Sequence, residues 1–125
     1  MVSPLGHFIT LQEFKDERGS LCFFESDGSS LPFELQRVFF MYDIPHDAER
    51  ASHALKTCHQ IIFPTKGSCQ LYVDDGFQNK QVRLSEIHRP YFVPAGIWRS
   101  MTDFEDNSIF VVLASEKFSE EDYID

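Results

Sequence analysis

The sequence predicts an all-β domain, a sandwich or a barrel, and three observations carry that reading. Short apolar stretches recur along the whole chain, separated by Gly, Pro, Asp and Ser. Phenylalanine is unusually common, with 13 copies beside four tyrosines and one tryptophan, and aromatic rings favour the pleated surface of a strand. Helical spacing appears only at the end, over Ser119 to Ile124, where Ser119 and Asp122 stand as in a capping box. Many short strands without intervening helices pack as a sandwich or close as a barrel.

The strands follow in order. "HFITL" and "SLCFFES" are the first apolar stretches, and "SDGSSLP" closes them with turn residues. "LQRVFFMYDI" alternates Leu35, Arg37 and Phe39 on one face, so Arg37 is expected to point inward. "RASHALKTCHQIIF" reads as strand-like up to the turn signal "FPTKGS". "CQLYV" and "QVRL" form a hairpin with Asp75–Gly76 at its turn, so Asp74 and Asp75 are read as turn residues. "YFVP" and "SIFVVLAS" complete the set, and "SEEDYID" is expected to be a solvated acidic tail. No repeat, linker or low-complexity tract interrupts the 125 residues, which fit one domain, 1–125.

Composition excludes several function classes. Acidic residues outnumber basic ones, 20 to 11, for a net charge of −9. Nucleic-acid binding needs a basic surface to displace counterions, so none is expected. A phosphorylated small molecule stays open, since a few converging arginines hold a diphosphate on an acidic protein. No apolar run is long enough to span a membrane, and "MVSPLGHF" lacks the regions of a signal peptide. Cys22, Cys58 and Cys69 are an odd number without a CxxC pair and are read as buried thiols of a reducing compartment. The expectation is a cytoplasmic protein.

Two motifs carry the chemistry. His53, Leu55 and Gln60, with Gly67 beyond them, are followed downstream by Pro94, Gly96 and Arg99 in "VPAGIWRS". These spacings resemble the two motifs of the cupin superfamily, a small jelly-roll barrel. Metal-binding cupins place two histidines, a glutamate and a third histidine where this chain has His53, Leu55, Gln60 and Arg99. Leucine has no donor, a neutral amide is a poor ligand and a guanidinium repels cations, so no metal is expected. One histidine, one amide and one arginine suit an anionic or carbonyl-bearing organic ligand better.

Five blocks extend the resemblance over nearly the whole chain: "ERGSL", "LPFELQRVFFMYD", "RASHALKTCHQIIFPTKGSCQLYVDDG", "RPYFVPAGIWR" and "VVLASEKFSEEDYI". In that order they resemble the WxcM-like family of sugar-nucleotide 3,4-ketoisomerases. The resemblance implies a metal-independent cupin (a double-stranded β-helix or jelly roll), with the short C-terminal helix expected above and without a cofactor. It implies a homodimer with exchanged N-terminal strands. It also implies a substrate, a dTDP-linked 4-keto-6-deoxyhexose such as dTDP-4-oxo-6-deoxyglucose, used in making deoxysugars for surface glycans and antibiotics.

Moving a ketone from C4 to C3 requires removal of the C3 proton, an enediolate, and return of a proton at C4. A histidine is suited to that shuttle. Fixed donors must hold the oxyanion, and arginine or lysine the diphosphate. The family pattern is "RGxHAHK", with both histidines implicated in catalysis; here Ala51 replaces the glycine and Leu55 the second histidine. His53 is therefore the catalytic candidate. Ala51 is a mild change unless the backbone there needs positive φ. Leu55 keeps an alternative open, a non-catalytic cupin that binds the sugar nucleotide.

The remaining candidates are substrate-binding. Arg50 and Arg99 flank the two motifs, and an inward Arg37 needs an anion, either a structural carboxylate or a substrate phosphate. Gln60 hydrogen-bonds the sugar or satisfies backbone. Tyr42 and Trp98 stack on a base or sugar, or fill the core. His7, His46, His59 and His88 are read as surface or packing residues, the facing of His59 being open.

Overall fold

Twelve antiparallel strands and one 3-10 turn make up the protein in a computed structural model that describes residues 4–28 and 30–124. The strands are β1 (His7–Phe8), β2 (Phe14–Asp16), β3 (Gly19–Leu21), β4 (Arg37–Met41), β5 (Arg50–Leu55) and β6 (Gln60–Lys66), then β7 (Cys69–Asp74), β8 (Asn79–Leu84), β9 (Tyr91–Val93), β10 (Trp98–Thr102), β11 (Ile109–Ala114) and β12 (Tyr123–Ile124). One five-stranded sheet has the order β1-β9-β6-β11-β4, and the other β12-β5-β10-β7-β8; β2 and β3 form a separate hairpin. Apart from the β7–β8 hairpin, sequence neighbours from β4 onward lie in opposite sheets, the jelly-roll arrangement of a cupin.

Burial follows from the sequence pattern. Along β7 the residues alternate between buried and half-buried, so Cys69, Leu71 and Val73 enter the core. They meet Met101 of the same sheet and Ile62, Phe110 and Val112 of the other. Burying each such side chain contributes about 1.5–3 kcal/mol, and truncating one to alanine costs about 2–5 kcal/mol. Strands β6 and β11 are covered on both faces, because Leu31, Phe24 and Phe33 pack over Ile61, Val111 and Leu113 outside the barrel. Their sequences, "QIIF" and "IFVVLA", accordingly read as continuous apolar runs rather than alternations.

The ends of the barrel differ. At one end Gly67 turns the chain with φ +79°, where a Cβ would come within 2.2 Å of the Ser108 hydroxyl. Beside it, Arg83 Nη1 donates to Asp103 Oδ2 at 2.8 Å and Nη2 to Ser68 Oγ at 2.7 Å, while Ser68 donates to Glu105. This end is closed by a paired polar network. The other end is where β5, β6, β10 and β11 bring the motif residues.

The hairpin is as expected: Asp75 Oδ1 accepts from the Phe77 and Gln78 amides, and Asp74 Oδ1 from Gly76. The C-terminal helix is not. It shrinks to a single 3-10 turn over Glu120–Asp122, Ser119 makes no side-chain cap, and Tyr123–Ile124 continue as a strand on β5. Asp122 turns its carboxylate away from Ser119 and onto the Thr57 and Cys58 amides instead. The tail expected to be solvated is therefore anchored.

Candidate active site

Register alone assembles the site. Ala114 of β11 stands opposite Arg37 of β4 on one side and Gln60 of β6 on the other. Directly opposed residues share a face, so these three line one inner row of the first sheet. In the facing sheet Arg99 of β10 stands opposite His53 of β5 and Val73 of β7, the second inner row. Arg99 joins the rows by donating from Nη1 to Gln60 Oε1 at 2.5 Å.

Arg99 is wholly buried, and the acceptors of its hydrogen bonds are neutral. Nε donates to the Ile97 carbonyl at 3.1 Å, and Nη2 is buried with no acceptor. Burial pulls its pKa down to about 10, against the opposing influence of Cys58 and Tyr123, so the group stays cationic at neutral pH. Arg37 is half-buried. Its guanidinium lies 5.1 Å from the Phe39 ring centroid and 5.7 Å from that of Phe118, and its Nε is buried without a partner. A buried unpaired donor costs free energy until something fills it.

His53 is half-buried opposite Arg99, and its ring meets that of Tyr123 with centroids 4.6 Å apart. It reaches this place through a β-bulge. Arg99 pairs with His53 and Met101 with Arg50, so β5 carries one residue more than β10 between the pairs. Ala51, in the bulge, has φ +60°. The backbone there does need the left-handed region, the condition under which alanine in place of glycine is strained.

The sequence candidates thus separate. His53, Gln60 and Arg99 come together at one end of the barrel, with Arg37 in the same inner row as Gln60. Arg50 is exposed beyond the bulge, opposite Met101. Tyr42 lies past the opposite end of β4, 66 % exposed beside Phe40, Lys66 and Asn107, and is not brought to this end of the barrel. Trp98 packs edge-on against Tyr72 at 5.9 Å. His59 faces away from the barrel interior: its Nδ1 accepts from the Ala95 amide at 2.9 Å and its ring packs on Phe33 and Phe92. It does not stand in for a histidine at position 55. Leu55 itself is buried among Cys58, Ala114 and Tyr123.

Sequence reading missed Tyr123, which belongs to a stretch read as an acidic tail. The tyrosine–isoleucine pair after the acidic residues was the only local signal of a strand. A cleft of about 860 Å³ lies outside this C-terminal segment, lined by Lys56, Lys117, Glu34, Glu116, Glu121 and Asp122 among others. Its carboxylates outnumber its lysines, so the inward Arg99 and Arg37, not this cleft, are the better place for an anion. Among the described residues no cluster of His, Cys, Asp and Glu has the makings of a metal site.

Comparison with known proteins identifies the family and the fold. Residues 6–125 match the family described as FdtA, WxcM-like, C-terminal. The chain is 32 % identical over 116 residues to a TDP-4-oxo-6-deoxy-alpha-D-glucose-3,4-oxoisomerase of Aneurinibacillus thermoaerophilus, covering 93 % of this chain and 83 % of the relative. A 3,4-ketoisomerase from Helicobacter canadensis has the same fold with a TM-score of 0.91 at 31 % identity, over 95 % of this chain and 89 % of that one. QdtA, a sugar 3,4-ketoisomerase from Thermoanaerobacterium thermosaccharolyticum solved in complex with TDP, gives 0.91 at 28 %, over 96 % and 87 %. A barrel of this topology, with these residues at one end and a family match from end to end, makes the chain a member of the WxcM-like family of cupins.

Proposed function

We propose that this protein isomerises the ketone of a TDP-linked 4-keto-6-deoxyhexose from C4 to C3, with His53 as the proton shuttle. The observation that carries the reading is a pair of inward arginines, Arg99 fully buried opposite His53 and Arg37 half-buried in the facing row, each with a buried unpartnered nitrogen. A neutral pocket wall has no use for two such cations, whereas an enediolate or a phosphate supplies the charge they lack. Arg99 holds the developing oxyanion and Gln60 fixes its guanidinium; Arg37 meets a phosphate or the sugar from the other sheet. Arg50, exposed at the bulge, is our candidate for meeting the distal part of the nucleotide.

The relatives support the substrate class, since the curated one acts on TDP-4-oxo-6-deoxyglucose and QdtA binds TDP. We also propose a cytoplasmic homodimer serving deoxysugar synthesis for surface glycans. Three free thiols suit that compartment. Exposed Leu35, Val38 and Phe40, with Phe14, Leu21 and Phe23 near the N-terminus, supply apolar surface for a second copy. Exchange of the N-terminal strands is the form we expect it to take.

One observation favours a second reading: Leu55 is buried in an apolar cluster where the family pattern has a histidine. On that reading the protein binds the sugar nucleotide without turning it over. Proton NMR of the 4-keto sugar nucleotide incubated with the protein separates the two. A 3-keto product supports the isomerase; saturable binding without product supports the binder.

A further inference from the structure

Tyr123 is opposed to Leu55 in the pairing of β12 with β5, and therefore shares the inner face that Leu55 occupies. Its ring lies on the His53 imidazole, 4.6 Å between centroids at 56°. It packs against Leu55, Cys58 and Ala114, and Ala114 is the residue between Arg37 and Gln60 in the inner row.

This placement is built rather than incidental. The Lys56 amide donates to the Asp122 carbonyl at 2.8 Å. The Asp122 carboxylate accepts from Thr57 N at 2.9 Å, Thr57 Oγ1 at 2.7 Å and Cys58 N at 3.2 Å. The residue before Tyr123 is thus tied at four points to the turn that follows β5. A loose tail would have no such ties.

We infer that Tyr123 supplies the second hydrogen-bonding group of the site, in the place that Leu55 leaves apolar. The inference rests on the isomerase reading above. His53 takes the C3 proton on a ring nitrogen, and the electron pair moves onto the carbonyl oxygen. Within the enediolate the hydroxyl proton on O3 passes to O4, while the phenol O–H donates a hydrogen bond to the oxyanion and keeps its own proton. His53 then returns its proton at C4 as the C3 carbonyl forms. A phenol suits this task because it is both donor and acceptor and its ring is fixed by packing.

The test compares the wild type with Tyr123→Phe and with Tyr123→Phe combined with Leu55→His, measuring kcat, KM and the thermal midpoint. Phenylalanine keeps the ring on His53, so the midpoint and KM are expected to hold while kcat falls on the order of 100-fold, as for loss of one oxyanion donor. Adding the histidine is expected to restore much of kcat, which a purely structural tyrosine would not allow. An active wild type matched by an equally active Tyr123→Phe overturns the role of the phenol and leaves the isomerase reading intact. A slow Tyr123→Phe that the histidine does not rescue overturns the claim that the phenol replaces an imidazole. A wild type without turnover overturns the isomerase reading, and this inference with it.

Discussion

Arg99 reaches across the barrel to donate from Nη1 to Gln60 Oε1 at 2.5 Å, and its Nη2 is left buried without an acceptor. The contrast with Arg83 is instructive. That arginine has Asp103 at 2.8 Å and a share of solvent, so its charge is answered locally. Arg99 has an amide and a carbonyl, which orient it without neutralising it.

Such a cation is held for function at a cost to the fold. Replacing Arg99→Met removes the buried charge and keeps much of its volume, and swaps of this kind are often neutral or stabilising. The thermal midpoint is expected to stay level or rise, while kcat falls on the order of 100-fold or more through loss of an oxyanion donor. Calorimetry beside a turnover assay checks both halves. A variant that loses stability and keeps its activity would show that Arg99 is structural.

Ala51 sits at φ +60° in the bulge that precedes His53. Left-handed backbone costs a non-glycine residue about 1–2 kcal/mol, of which the flexibility of glycine in the unfolded chain takes back part. Ala51→Gly is therefore expected to stabilise the protein by about 0.5–1 kcal/mol, read from denaturant midpoints at unchanged slope. Destabilisation would mean that the bulge does not need this conformation.

Asp122 anchors the C-terminal strand. Burial acts to raise its pKa, but hydrogen bonds from Thr57 and Cys58 outweigh it and hold the carboxyl below its usual value. A carboxylate depressed by folding adds stability above its unfolded pKa, and that stability is lost as pH falls through the folded value. Asp122→Ala is thus expected to lower the thermal midpoint by a few degrees at pH 7, with the gap to wild type closing below about pH 4. A gap independent of pH would assign the loss to something other than the charge.

Much of the barrel was legible because its residues answer to one surface at a time. "CQLYV" alternates because β7 has one buried face, and the two aspartates before Gly76 form the turn their side chains favour. His53, Gln60 and Arg99 were legible as a set because motif spacing fixes which residues oppose one another across strands. What escaped depends on contacts between distant segments. Ser119 to Ile124 has helical spacing, yet Tyr123 gains more by pairing with Leu55 and covering His53 than another helical turn would give. Tyr42 shares a strand run with Arg37, but the two lie at opposite ends of β4, a separation that composition does not reveal. The left-handed Ala51 was visible only as a conditional, since the bulge that demands it is a property of the pairing with β10.

The central claim is that His53 carries the proton between C3 and C4 of a keto sugar nucleotide. Incubation with TDP-4-keto-6-deoxyglucose in deuterated water, wild type beside His53→Asn, tests it most directly. The account expects deuterium in the sugar ring and a 3-keto product with the wild type, and neither with the asparagine variant at equal nucleotide binding. Exchange at the same rate in both proteins, or in neither, would contradict it.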